Sequence, residues 1–160
     1  MTSMVKYCIN RATKSNICKH LSACDADFVQ TLIRRVNIKE YCKKIYNKAV
    51  RFEAWFGDTL IGLVAVYCND ITQSTAYITN VSVLNEWQGK GVALRLMSRC
   101  IEHVKEQSFN CISLEVACEN TPAISLYEKC SFITSDNSSS LITMNLFLDK
   151  EQAMAKERDY

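Results

Sequence analysis

The sequence predicts a single α/β domain of the α+β kind, with a central mixed, mostly antiparallel sheet of about seven strands flanked by helices. Three observations carry this expectation. Gly57-Asp58 separates two runs, 51–56 and 59–68, that are rich in aromatic and branched residues, the pattern of an antiparallel hairpin. Apolar residues recur at helical spacing over 91–107, between a strand-like segment ending at Val83 and another at 111–117. Such a strand–helix–strand order requires a parallel crossover. Finally, 132–135 and 141–148 read as a closing strand pair whose turn is the serine-rich stretch before Leu141.

The remaining elements follow in order. Residues 5–11 are a first strand. Helical territory then runs over 15–49, where Phe28, Leu32 and Val36, then Tyr41 and Ile45, recur at helical spacing and predict two helices. A third antiparallel strand covers 74–84. In the helix over 91–107 the expected core stripe is Ala93, Met97, Cys100, Ile101 and Val104, with Arg95, Arg99, Glu102 and Lys105 on other faces. Asn120 or Thr121 with Pro122 marks the next helix start, followed by the stripe Ala123, Leu126, Tyr127 and Cys130. No linker-like or repeated segment divides the chain, so 1–148 is expected to form one domain and 149–160 a charged tail.

Composition narrows the function classes. The 160 residues are 48% hydrophobic and 22% charged, close to average globular usage, which fits neither a disordered nor a fibrous chain. A net charge of +2 gives no bulk attraction for nucleic acid. The nine cysteines are odd in number, none at C-x2-C spacing, and only His20 and His103 could join them, so neither a disulfide framework nor a metal site is expected. They read as small buried hydrophobes in a reducing compartment. The first residues lack the apolar stretch of a secretory leader, and the longest apolar run, 60–68, is too short to span a bilayer. A cytoplasmic protein without a membrane partner is the expectation.

Between Val83 and the long helix stands Asn85-Glu86-Trp87-Gln88-Gly89-Lys90-Gly91-Val92-Ala93: a strand end, a glycine turn and a helix start. Unpaired amides and the positive end of a helix dipole favour a phosphate there, and glycine removes the Cβ that would hold it away. On the glycines alone, a sharp turn explains the segment equally well. A dinucleotide fold would want G-x-G-x-x-G, whose third glycine is here Leu94, although Glu115 lies near the ribose-binding position. The nucleoside triphosphate loop G-x4-G-K-[ST] is absent.

Two blocks decide between these readings. The run 81–93 resembles the acyl-coenzyme A signature of the GNAT N-acetyltransferases, Q/R-x-x-G-x-G/A, matched by Gln88, Gly91 and Ala93. Downstream, Leu114-Glu115-Val116 and then Asn120 to Phe132 resemble that family's N-x-x-A-x-x-x-Y-x-x-x-G-F segment, with Ser131 in place of the glycine. The resemblance covers about residues 50–148. It implies acetyl-CoA as co-substrate and two parallel strands, ending near Val83 and Val116, that splay apart to admit the pantetheine arm. Carried over by position, Val81, Ser82 and Val83 would bond the pantetheine and acetyl carbonyl through backbone groups. Gln88, Gly89, Lys90, Gly91, Val92 and Ala93 would wrap the pyrophosphate, and Asn120 would hold the pantetheine from the opposite strand.

Acetyl transfer to an amine needs a neutral nucleophile, stabilisation of negative charge on the acetyl oxygen, and a proton for the departing thiolate. Tyr127 matches the family's tyrosine and, with a hydroxyl pKa near ~10, could protonate the sulfur; without the match it reads as a core aromatic. Glu115 stands in a mostly apolar strand, where a carboxylate is costly unless paired or used. It aligns with a glutamate that is the base in some members; a solvated or ion-paired strand face is the other reading. The backbone N–H of Val83 is the candidate oxyanion donor. A ping-pong route would use Cys118, though a buried structural cysteine is preferred there.

The sequence therefore points to an N-acetyltransferase acting by direct attack on the primary amine of a small molecule, amino sugar or peptide. The alternative is a coenzyme A-binding regulatory domain without turnover. The acceptor is governed in this family by the first helices and the loop between the last strands, here 15–50 and 136–141. Arg34, Arg35, Lys39, Lys43, Lys44 and Lys48 oppose only Glu40 over 34–48, which suggests an anionic acceptor or, more simply, a solvated helix face. The edge of the closing strand pair is where a homodimer would form.

Overall fold

The computed structural model describes residues 4–24, 37–69, 72, 74–137 and 139–148. Within them the chain runs β1 (Lys6–Ile9), α1 (Lys14–Ala23), α2 (Ile38–Lys48), β2 (Val50–Phe56), β3 (Thr59–Tyr67), β4 (Thr75–Val83), a 3-10 turn (Asn85–Trp87), α3 (Val92–Glu106), β5 (Cys111–Ala117), α4 (Thr121–Lys129), β6 (Ile133–Asp136) and β7 (Leu141–Phe147). The strands form one seven-stranded sheet in the order β1-β2-β3-β4-β5-β7-β6. Only β4 and β5 pair in parallel, as the crossover through α3 requires. This is the mixed sheet that the sequence predicts. The expected helical positions Phe28, Leu32 and Val36, Arg34 and Arg35, and the tail 149–160 lie outside the described residues.

Local chemistry sets the helix starts. Thr13 closes a capping box on α1: its hydroxyl accepts the Asn16 N–H at 3.1 Å while Asn16 Oδ1 accepts the Thr13 N–H at 2.9 Å. Asn37 caps α2, and Asn120 caps α4 with Pro122 in its first turn. The end of α4 holds a surprise. Ser131 has φ of +74°, the left-handed conformation of a helix C′ residue, and its N–H reaches the Glu128 carbonyl at 2.9 Å. The usual glycine turn is thus kept by a serine, at the ~1 kcal/mol cost of a Cβ in that region.

The sheet separates two cores. One face packs on α3 and α4 through Val64, Val66, Ile78, Leu96, Met97, Cys100, Leu114 and Tyr127; the other packs on α1 and α2 through Ile17, Leu21, Ile45, Trp55, Leu63 and Ala65. The stripe of α3 is rotated from the sequence expectation. Val92 and Leu96 are buried with Met97, Cys100 and Val104, while Ala93 and Ile101 are only half-buried. Gly62 is the reason. A Cβ there would stand 2.9 Å from Val92 Cγ1 and 3.0 Å from Leu96 Cδ1, so β3 gives α3 a close approach that spacing within one helix cannot reveal.

A buried ion pair ties the β1–α1 connection to β2. Glu53, with no exposed surface, accepts the N–H groups of Arg11 (3.0 Å) and Ala12 (3.0 Å), the indole N–H of Trp55 (3.0 Å) and Arg51 Nε (3.3 Å). Arg51 spends its other nitrogens on the carbonyls of Tyr46 (3.0 Å) and Ala12 (3.2 Å). Both carboxylate oxygens and all three guanidinium nitrogens thus have a partner, the condition under which a buried charge is tolerated.

Candidate active site

The parallel pairing of β4 with β5 lasts only three rungs, Thr75 to Cys111, Ala76 to Ile112 and Tyr77 to Ser113. Beyond Tyr77, β4 stays with β3 up to Val83, and β5 stays with β7 up to Ala117. The two strands therefore part and leave a wedge between them. Register shifts between Ala65 and Val66 on β3, where Thr79 of β4 has no partner, a bulge of the kind that bends a strand and increases its twist.

Which backbone groups face the wedge follows from one hydrogen bond. The Leu84 N–H donates to the Ile61 carbonyl of β3 at 2.9 Å, so the Val83 carbonyl, trans across the same peptide, points away from β3 and into the gap. Strand alternation then turns the backbone groups of Val81 and Val83 toward the gap and those of Ser82 toward β3. The Ser82 side chain is buried on the face that carries α1. Of the three backbone candidates, two address the wedge and Ser82 does not.

At the wide end, Gly89 and Gly91 have φ of +77° and +82°, and a Cβ at either would meet nothing within 4 Å. The first bond of α3 runs from Arg95 N–H to the Gly91 carbonyl at 3.1 Å, so the Val92, Ala93 and Leu94 amides precede it as unpaired donors. Open space before a ring of free amides at a helix N-terminus is the geometry that holds a phosphate. The Gln88 side chain does not point there. Its Nε2 donates to the Val83 carbonyl at 3.0 Å and to Asn85 Oδ1 at 3.2 Å, folding the loop against the strand end. Lys90 is exposed. The Asn120 carboxamide oxygen is engaged by the Ala123 N–H at 3.3 Å as the cap of α4. Gly91→Val, which combines a strained φ with a side chain in that open space, should weaken coenzyme A binding at least tenfold in a calorimetric titration while costing about 1–2 kcal/mol of stability.

Tyr127 and Glu115 lie on opposite faces of the sheet. Tyr127 is buried in the α3–α4 core, 6.1 Å from the Phe132 ring, and its hydroxyl donates to no described residue. Burial, and secondarily the nearby Cys130, push its pKa well above the usual tyrosine value, so it keeps its proton. Glu115 is exposed on the other face, where the Tyr77 hydroxyl donates to its Oε1 at 3.0 Å. That bond crosses the gap just above the last paired rung. The carboxylate is therefore held by a hydrogen bond on an open strand face, and the desolvation that an apolar strand suggested does not apply.

The model of the acetyltransferase (GNAT) family matches residues 19–132, most of the chain. The protein belongs to the GNAT acetyltransferase family. It is 30% identical over 111 residues to N-alpha-acetyltransferase 30 of Schizosaccharomyces pombe, an alignment covering 63% of this chain and 73% of that one. It is 36% identical over 69 residues to the putative ribosomal protein bS18-alanine N-acetyltransferase of Bacillus subtilis, covering 42% and 46%. The fold is similar to that of the ribosomal-protein-S18-alanine N-acetyltransferase of Escherichia coli (TM-score 0.73, 16% identity, 91% and 95% of the two chains). It is also similar to that of the PaiA N-acetyltransferase of Thermoplasma acidophilum in complex with coenzyme A (TM-score 0.71, 16% identity, 89% and 99%). This GNAT chain is an acetyl-CoA-dependent N-acetyltransferase; the alternative of a non-catalytic coenzyme A-binding domain finds no support in these likenesses.

Other residues of this GNAT domain escaped the sequence reading. Tyr77 was one; its place on the same strand face as Glu115 becomes visible only once the β4–β5 register is known. Cys118 is exposed rather than buried, and its N–H bonds the Ser140 carbonyl at 2.9 Å. Lys39 and Lys43 line an open groove between α1 and α2 with Lys14, Cys18 and Cys42, and Lys44 lies over the Tyr67 ring at 5.3 Å. Of the two histidines, His103 packs edge-on against Phe52, 5.5 Å between ring centroids. His20 is buried: its Nδ1 lies 2.8 Å from the Leu60 carbonyl and its Nε2 2.9 Å from Ser82 Oγ. No group of three or more potential metal ligands occurs among the described residues, and no described helix is long and apolar enough to cross a membrane.

Burial lowers the His20 pKa to about 4, so the folded imidazole is neutral where the unfolded one, near ~6.5, still binds a proton. The unfolded state binds more protons between these values, and stability must fall as the pH drops through that window. The stability difference between wild type and His20→Gln, read from urea unfolding, should narrow by about 3 kcal/mol between pH 7 and pH 4.

Proposed function

We propose that the acceptor is the α-amine at the N-terminus of a polypeptide, acetylated by direct attack on the thioester. The observation that supports this reading is that both curated relatives, at 30% and 36% identity, carry names of protein-directed N-acetyl transfer, one an N-alpha-acetyltransferase and the other a putative ribosomal protein bS18-alanine N-acetyltransferase. The open strand face around Glu115, on the side of α1 and α2 and next to the wedge, suits an acceptor that arrives as an extended chain. We place the reaction in the cytoplasm, in keeping with nine free cysteines. The outer strand β6, exposed along its length, is where a second copy would add to the sheet.

The geometry supports one division of labour. The free amides of Val92, Ala93 and Leu94, with Gly89 and Gly91 clearing the way, bind the pyrophosphate, with Lys90 beside it. Val81 and Val83 offer backbone groups to the pantetheine amides, and the Val83 N–H donates to the acetyl oxygen as charge develops there. Glu115, oriented by Tyr77, takes the ammonium proton directly or through a water, and the amine nitrogen then bonds the acetyl carbon as the C–S bond breaks. Tyr127, on the far face, gives its proton to the sulfur, and the second proton shed by the newly acylated nitrogen returns through water to the tyrosinate. Asn120 shapes the opposite strand end through its cap. Thiol release should be measured with acetyl-CoA and a panel of short peptides bearing free or blocked N-termini, beside spermidine and amino sugars. Free N-terminal peptides are expected to exceed the small amines at least tenfold in kcat/KM; equal or better turnover of small amines would overturn the acceptor assignment.

A further inference from the structure

We propose that His20 is a positioning residue: through Ser82 it fixes the unpaired half of β4, and with it the Val83 N–H and the other backbone groups that address the thioester. The inference rests on the reading of Val81 and Val83 given above, but the structural link is independent of it. Past Tyr77, β4 has a strand neighbour on one side only. A strand so placed is free to bend into the wedge unless something else holds it. His20 projects from α1 onto this segment, 3% exposed, and bonds two strands at once: β3 at the Leu60 carbonyl (2.8 Å) and β4 at Ser82 Oγ (2.9 Å).

The protons can be placed. A carbonyl oxygen only accepts, so Nδ1 carries the hydrogen given to Leu60, and Nε2 of the neutral ring is left as an acceptor. The Ser82 hydroxyl faces it at 2.9 Å and the Cys24 thiol at 3.5 Å; the hydroxyl, the stronger donor at the shorter distance, gives its hydrogen to Nε2. Ser82 Oγ also lies 2.8 Å from Asn80 Oδ1, to which the one hydroxyl hydrogen cannot be given as well, while the Asn80 NH2 is buried without a partner. Turning that amide so that its NH2 meets Ser82 Oγ satisfies the orphan and makes one directional chain, from Asn80 through Ser82 and His20 to Leu60. Asn80 and Ser82 alternate with Val81 and Val83, so the chain grips the two inward-facing side chains between which the working backbone groups project outward. The imidazole is buried, 3% exposed, and its effect on transfer is exerted through Ser82.

The test uses His20→Leu, Ser82→Ala and the double variant in the full chain. With acetyl-CoA and the best peptide acceptor, each single variant should lower kcat about tenfold or more, as a sub-ångström displacement of a donor does, while acceptor KM stays within about twofold. The double variant should be no slower than the worse single one, because both remove the same link. Effects that multiply, or an unchanged kcat in Ser82→Ala, would overturn the inference and leave the proposed reaction standing. A second readout needs no turnover. Amide hydrogen exchange at Leu84, bonded to Ile61 of β3, should quicken at least tenfold in either variant, with β5 and β7 amides unchanged. If wild type acetylates no peptide, the acceptor assignment fails, and the exchange result alone then decides the inference: unchanged protection at Leu84 sinks it.

Discussion

Replacing Tyr127 by phenylalanine is expected to lower kcat by about 10²–10⁴-fold, the range for losing a positioned general acid, while coenzyme A affinity changes less than about threefold. The reason lies in how the side chain is built in. Its ring is held in the α3–α4 core beside Phe132, so the phenylalanine keeps the packing and removes only an oxygen that donates to no described residue. A hydroxyl with no structural partner contributes little to folding when removed. Melting temperature should therefore stay within a degree or two. If steady-state thiol release by Tyr127→Phe remained within threefold of wild type, the leaving thiolate would have to take its proton from solvent.

The second large effect is on stability and is far from the wedge. Glu53→Ala is expected to cost about 3–5 kcal/mol, because it strands the Arg51 cation in a dry site and deprives the Trp55, Arg11 and Ala12 N–H groups of their acceptor. Against a total of about 5–15 kcal/mol this is a large fraction, and the melting temperature should drop by roughly 10 °C. Glu53→Gln, which keeps the shape and part of the hydrogen bonding, should fall between. A drop of less than about 3 °C for Glu53→Ala would show that water enters and solvates the arginine.

These two residues also differ in how far the sequence announces them. Tyr127, Gly91 and Glu115 stand in short local patterns whose chemistry depends on neighbours in the chain: a turn, a helix start, a strand end. The sheet order was accessible for the same reason, since hairpins and crossovers follow from period and connection length. Glu53 in Arg-Phe-Glu-Ala-Trp-Phe gives no such signal. Its backbone partners, Arg11 and Ala12, come from 42 and 41 residues away, and only their convergence with Arg51 and Trp55 explains a carboxylate in an apolar strand. The side of α3 that packs differs from what its spacing predicts because Gly62 lies on another element. Ser82 was placed by its position in a motif, whereas the direction of its backbone depends on the Leu84–Ile61 bond and the register with β3.

The parting of β4 from β5 has a last consequence. Open strand rims normally invite other chains to add to a sheet, and proteins guard their outermost strands with charge or irregularity. Here two such rims face each other inside the sheet, flanked by paired strands on both sides, at a separation that narrows to the ordinary ~4.8 Å spacing at Tyr77 and Ser113. Another polypeptide would have to thread this notch with its side chains projecting into both layers. A slender, unbranched molecule carrying peptide-like amides meets no such obstacle, and the same architecture that excludes aggregation thereby selects for its partner's shape.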